Sequence, residues 1–247
     1  MAATRRRMNR ARTLRLLDEL EGEVGAATSL YVPPNSPVPE VRKLLEIGLD
    51  SVDAIPQVSE EIARSRTGAA LYWGEQQKCL VAPPFPVGEK LFSSGYDVAA
   101  LRSLLQRDVM LALILVRLGA YAVGVFRGED LISSKVGTGL IHSRHKKGGS
   151  SQRRFERGRE KQIETFFDRV CARTRERLEP YLGQLDYVVY GGERHTVLSF
   201  RKRCQFLQHL DDVTLSPLLN VREPRQATLE EAITQAWASE VVRWHQI

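Results

Sequence analysis

Between positions 137 and 152 the chain gathers four glycines, Gly137, Gly139, Gly148 and Gly149. With them stand the cationic or imidazole side chains His142, Arg144, His145, Lys146 and Lys147, then the polar run Ser150-Ser151-Gln152. These residue types suit contact with a polyanion. The cations neutralise phosphates, and paired glycines beside small hydroxyl residues let one backbone approach another polymer closely. The segment runs into a long cation-rich helical stretch. The backbone amides of Ser151 to Arg153 therefore fall at a helix N-terminus, where they lack intrahelical partners and can face an anion. A solvated connector is the usual fate of such a composition, but this one is long for a plain connector in a compact domain. His142 and His145 have no Cys or acidic residue spaced to complete a metal site, so no metal or cofactor is expected. Nor do the strands carry the clustered carboxylates that a metal-dependent nuclease needs.

The elements around this segment follow from periodicity. Leu14, Leu16, Leu17, Leu20 and Val24 mark an amphipathic helix over 12–24. Ser29-Leu30-Tyr31-Val32 reads as a strand stopped by Pro33-Pro34, and a helix after Pro39 carries Val41, Leu44, Leu45 and Ile47. A third helix covers 58–66. Residues 69–73 and 78–81 alternate as a hairpin, and 98–105 form a short helix. Three strands follow at 110–117, 120–126 and 130–135, the first apolar almost throughout, as in a strand buried on both faces. Beyond residue 151, Phe155, Ile163, Phe166, Phe167, Val170 and Leu178 mark one face of a long helix. Residues 186–190 form a further strand, and Gly191-Gly192 turn the chain into a helix. A helix over 227–244, with Trp237 and Trp244 as core or docking residues, closes the chain. The boundary expected near Arg107 gives a smaller α+β domain, 1–107, and a mixed α/β domain, 108–247, with a mixed sheet flanked by helices and the loop at 137–152.

Composition narrows the function classes. The 247 residues carry a net charge of +6, concentrated rather than spread. From Arg144 to Arg177 there are twelve Lys or Arg against five Asp or Glu, a local net of +7, and six arginines lie within the first fifteen positions. Two basic concentrations on a nearly neutral body suit RNA. Cys79, Cys171 and Cys204 are far apart and lack C-x-x-C spacing, so neither a disulfide framework nor a zinc site is expected, and a reducing cytoplasm fits best. The apolar run 109–116 is too short to span a bilayer, so no membrane partner is expected. The acid-free, Arg-rich start leaves organellar import open, a basic first helix being the preferred reading.

Residues 148–160, Gly-Gly-Ser-Ser-Gln-Arg-Arg-Phe-Glu-Arg-Gly-Arg-Glu, resemble the catalytic loop and following helix of archaeal and eukaryotic class-1 translation release factors. Arg154, Phe155, Arg157 and Arg159 fall on that family's Arg, Phe, Arg and Arg. Residues 113–117 and 120–131 are similar to the hairpins of its central domain, 29–34 to the opening strand of its N-terminal domain, and 81–84 to that domain's exit. The departures carry equal weight. Ser150 stands where the family has the glutamine of Gly-Gly-Gln. The pattern Gly149-Ser150-Ser151-Gln152 resembles instead the release-factor-like domain of the Vms/ankyrin-zinc-finger peptidyl-tRNA hydrolases. The stop-codon-reading motif would fall near Ala54-Ile55-Pro56-Gln57, which does not match, and 247 residues leave no room for the domain that meets a partner GTPase.

The resemblance implies an enzyme that hydrolyses the ester of peptidyl-tRNA on stalled ribosomes or large subunits without reading a stop codon. Its partners would be the peptidyl-transferase centre, peptidyl-tRNA and ribosomal RNA. Gln152 would be the central catalytic residue, with Gly149, Ser150 and Ser151 around it. An amide cannot act as a general base, so Gln152 would orient water or the ribose hydroxyl while the developing oxyanion is stabilised. His142, Arg144, His145, Lys146, Lys147, Arg153, Arg154 and Arg157 would hold RNA. The alternative is a ribosome- or RNA-binding adaptor that kept the fold without catalysis.

Overall fold

A computed structural model describes residues 2–142 and 150–245, the side chains of residues 150–153 and 217 excepted. The chain divides into two compact units, Met1–Arg107 together with Trp237–Ile247, and Asp108–Ala236.

The first unit comprises β1 (Ala2–Met8), α1 (Arg10–Glu21), β2 (Ala27–Val32), α2 (Val38–Gly48), α3 (Ile55–Arg64), β3 (Ala69–Gly74), β4 (Lys78–Ala82), β5 (Leu91–Ser94) and α4 (Ala99–Gln106). The second comprises β6 (Met110–Arg117), β7 (Ala120–Arg127), β8 (Asp130–Thr138), α5 (Ser150–Leu178), β9 (Tyr187–Gly192), α6 (Arg194–Arg203), β10 (Thr214–Leu219) and α7 (Gln226–Ala236). The last strand, β11 (Ser239–His245), belongs to the first unit.

The first unit is an antiparallel sheet in the order β1-β11-β4-β3-β2-β5, with helices on both faces. Side chains alternate across the sheet, which sorts the core. Tyr31, Ala70, Tyr72, Cys79, Val81 and Val241 meet Leu16, Leu17 and Leu20 of α1 and Leu101 and Leu105 of α4. Leu30, Val32, Leu71, Trp73, Val242 and Trp244 meet Val41 and Leu45 of α2 and Val58 and Ile62 of α3. Asn9 caps α1 by accepting the Arg12 backbone N–H, and the helix stops at Gly22. Val24, which periodicity adds to its apolar face, therefore lies beyond the helix and is exposed, as is Ile47 of α2.

The second unit is a mixed sheet in the order β10-β9-β6-β7-β8. Parallel β10, β9 and β6 continue into antiparallel β7 and β8. The strand β6 is central and covered on both faces, which is why its sequence is continuously apolar. Its even positions, Ala112, Ile114 and Val116, pack with Phe166, Phe167 and Val170 of α5 and Val197 and Phe200 of α6. On the other face Leu229 of α7 approaches Gly124 of β7, leaving 3.3 Å to the position of an added Cβ.

Three expectations are corrected. The terminal helix stops at Ala236, and residues 239–245 enter the first unit's sheet between β1 and β4. The first unit is thus discontinuous, and the second ends at Ala236 rather than 247. Trp237 and Trp244 are both buried in the first unit. Trp237 meets Phe85 edge-on with Arg10 stacked over it, and Trp244 tilts against Trp73. Second, the Arg-rich start is a strand, held by seven backbone-paired positions with β11 rather than by any apolar face. Third, Cys171 of α5 and Cys204 at the end of α6 form a disulfide; 33 residues separate them in sequence, but their Cα atoms lie 5.5 Å apart because α6 packs on α5.

Candidate functional site

The site is built on α5, a helix of 29 residues and about 43 Å at the standard rise. Its buried residues begin at Phe166. From Arg154 to Thr165, a stretch of about 18 Å, no side chain is fully buried; Ile163 leans on the core, and Arg154, Arg157 and Lys161 are exposed. Phe155, expected on the apolar face, is 63% exposed. Ser150, Ser151, Gln152 and Arg153 form the first turn of this helix. The first-turn amides have no intrahelical acceptor, and no acidic residue occupies that turn.

Charge is partitioned along α5. In its C-terminal half the cations are paired: Arg173 with Glu176 at 2.7 Å, Arg175 with Glu179 at 2.8 Å, and Arg177 with Glu176 at 3.1 Å. Asp168 takes two bonds from Arg203, at 2.6 and 2.8 Å, which hold its carboxyl below the usual carboxylate range. In the N-terminal half, Arg154, Arg157 and Lys161 make no side-chain hydrogen bond or ion pair among the described residues. Spacings of three and four put them on one stripe. Positive side chains near a helix N-terminus oppose the helix dipole, an arrangement that an anionic partner offsets.

The chain leaving β8 runs beside α5 in the opposite direction. Arg169 Nη1 donates to the Thr138 carbonyl at 3.3 Å. Gly139 lies against Phe166, where an added Cβ would come within 2.6 Å of the ring, and its N–H donates to the Gly119 carbonyl at 2.9 Å. Gly119 turns β6 into β7 with φ 93°, a conformation open to glycine. The His142 N–H donates to Gln162 Oε1 at 3.1 Å, and Arg159 Nε donates to the His142 carbonyl at 3.0 Å. An open hollow beside this stem is lined by Leu140, Gly158, Lys161, Thr165 and Arg169.

Of the residues singled out in the sequence, His142 is exposed at the end of the stem and is brought against α5. The helix places Gln152 about 10 Å along its axis from Arg159, which holds His142. Arg154 and Arg157 are exposed on the unpaired stripe. Arg144, His145, Lys146, Lys147 and Gly149 lie outside the described residues, as do the side chains of Ser150, Ser151, Gln152 and Arg153. Sequence reasoning passed over Lys161, Gln162 and Arg169. Their spacing on a charged helix carries no mark until the stem is placed beside them. Among the described residues no group of His, Cys, Asp or Glu is arranged to hold a metal ion, and no helix is long and apolar enough to cross a membrane.

Comparison with known proteins gives concordant matches. A family model described as "Actinobacteria/chloroflexi VLRF1 release factor" matches residues 109–242, more than half of the chain. Peptide chain release factor subunit 1 of Saccharolobus solfataricus is 23% identical over 93% of this chain and 70% of its own length. The protein of the same name from Aeropyrum pernix is 25% identical over 90% of this chain and 68% of its own. The crystal structure of the archaeal translation termination factor aRF1 aligns with 93% of this chain and 73% of that one, at 19% identity and a TM-score of 0.42.

Proposed function

We propose that this chain, which belongs to the Actinobacteria/chloroflexi VLRF1 release factor family, hydrolyses peptidyl-tRNA on stalled ribosomes or large subunits without reading a stop codon. The observation that carries this reading is the N-terminal part of α5. There Arg154, Arg157 and Lys161 form a cationic stripe, unpaired among the described residues, on a stretch with no fully buried side chain, and Gln152 stands in the first turn. Such a stripe suits RNA phosphates, which would position the helix end without specifying sequence.

In this reading the phosphate contacts insert the first turn of α5 into the peptidyl-transferase centre. The Gln152 side-chain amide or backbone N–H holds the attacking water or the ribose hydroxyl. The open amides of Ser150 to Gln152 lie where negative charge develops on the ester oxygen. Ester cleavage transfers the acyl group to water, the proton passing to the ribose oxygen. The gain comes from orientation in a confined site, so no nucleophile–base pair in the protein is required. The reading places the chain in the cytoplasm, where a thiol pool can open Cys171–Cys204.

The test is release of labelled peptide from purified stalled ribosome–nascent-chain complexes by wild type and by Gln152→Ala. Release by wild type and a loss of about a hundredfold or more in the variant are expected. No release by wild type overturns the hydrolase reading. The second reading, a catalytically silent adaptor, is favoured by Ser150 at the glutamine position of Gly-Gly-Gln. It predicts wild-type binding to the same complexes with no release.

A further inference from the structure

The chain leaving β8 is attached to α5 at successive turns, and the outermost attachment uses two side chains that have no other partner among the described residues. Gln162 accepts the His142 N–H at 3.1 Å, and Arg159 donates to the carbonyl of the same residue at 3.0 Å. One peptide residue is thereby held through both of its backbone groups. The partners descend the helix, from Arg169 through Phe166 to Gln162 and Arg159, as the stem climbs from Thr138 through Gly139 to His142. That order fixes direction and register as well as proximity. It also separates Arg159 from Arg157, two residues away. Arg157 is exposed and, among the described residues, unpaired, while Arg159 is half-buried and spends its Nε on the protein's own backbone.

We propose that Gln162 and Arg159 are positioning residues for peptide release, clamping the His142 peptide to α5 and so fixing the stem relative to the helix turn that carries Ser150 to Gln152. This rests on the peptide-release reading above. Holding both backbone groups of His142 narrows the conformations open to that residue. Both hydrogen bonds are exposed, so each stabilises the fold little. Their effect lies in placement, where a displacement of about 1 Å can lower a rate by about a hundredfold.

The experiment compares wild type, Gln162→Leu, which keeps the shape without the acceptor, and Gln162→Glu, which keeps the acceptor. Amide exchange at His142 is measured by NMR, and single-turnover peptide release is measured against the concentration of stalled complex. Gln162→Leu is expected to speed His142 exchange by about three- to tenfold and to lower the saturating release rate by about ten- to a hundredfold. Its half-saturating concentration should stay within about twofold, and Gln162→Glu should behave as wild type. The Arg159→Ala/Gln162→Leu double variant should show the larger loss in both readouts at unchanged melting temperature. Unchanged exchange in Gln162→Leu overturns the clamp. Faster exchange with an unchanged release rate overturns its positioning role. A change confined to the half-saturating concentration makes Gln162 a binding contact instead. If wild type releases nothing, the peptide-release reading falls, while exchange still decides whether the clamp exists.

Discussion

The division of charge along α5 makes a quantitative claim about salt. Arg154, Arg157 and Lys161 share a stripe and are unpaired among the described residues, whereas Arg173 and Arg175 are already engaged by Glu176 and Glu179. Each cation that neutralises an RNA phosphate adds about 0.7 to 0.9 to the slope of log affinity against log salt. Replacing all three stripe residues by Gln should therefore lower the slope by about 2 to 3. Between about 50 and 200 mM salt, wild type should then lose about 20- to 40-fold more affinity than the variant. Replacing Arg173 and Arg175 by Gln removes two charges from the same helix and should leave the slope nearly unchanged, because their contribution is spent within the protein. The assay is equilibrium binding to vacant large ribosomal subunits across a salt series, with circular dichroism to confirm that α5 is intact. Equal slopes for wild type and the stripe variant, or an equal fall in the Arg173/Arg175 variant, would refute the assignment of the stripe to phosphate.

Other expectations follow from the fold. Gly192 ends β9 at φ 125°, where an added Cβ would lie 3.0 Å from the Val116 carbonyl carbon. Backbone strain and overpacking together should make Gly192→Ala destabilising by about 3 to 5 kcal/mol in urea unfolding. Gly183→Ala, with nothing near its Cβ, should change little. Thiol titration should find no reactive thiol in the folded oxidised protein, one after denaturation and three after reduction. The reason is that Cys171 and Cys204 are paired and burial pushes Cys79 up to about 12. Removing the disulfide by a double Ala substitution should lower stability by about 2 to 4 kcal/mol. Arg203 holds the folded Asp168 carboxyl below its unfolded value, so the contribution is present above the unfolded pKa and is lost as pH falls through the folded one. Asp168→Asn should therefore lower the urea midpoint at pH 7 and leave it unchanged at about pH 2.

What the sequence disclosed was whatever lies in local pattern. The strand β6 and the hairpin β3–β4 are legible because short apolar runs such as Leu111-Ala112-Leu113-Ile114-Leu115-Val116, bounded by turn residues, suit strands better than helices. The turn at Gly191-Gly192 is legible because glycine tolerates its backbone. The strands β1 and β11 are illegible for a related reason. Arg5, Arg6 and Arg7 have no apolar face, and Trp237 and Trp244 happen to sit seven apart, a helical spacing. Partners distant in sequence make each a strand: β1 pairs with β11 more than two hundred residues away, and β11 pairs with β4 as well, which is a tertiary override of local preference. The disulfide was missed likewise, since sequence separation says nothing about helices packed side by side. Of the candidate site, glycines and cations announced the loop. The stem's attachment to Gln162 and Arg159 depends on two segments meeting, and neither residue carries a distinctive local pattern.

Placing β11 between β1 and β4 also orders events during synthesis. The second unit is continuous, so everything needed for its mixed sheet has been made once residue 236 has emerged. The first unit begins earlier yet closes later. Until residues 239–245 appear, β1 has no neighbour and β4 presents an unpaired edge able to recruit another chain. A protein truncated after Ala236 should therefore keep the release-factor-like unit folded and turn the first unit into a source of aggregation. With β11 present, its seven residues act as the latch of the first unit.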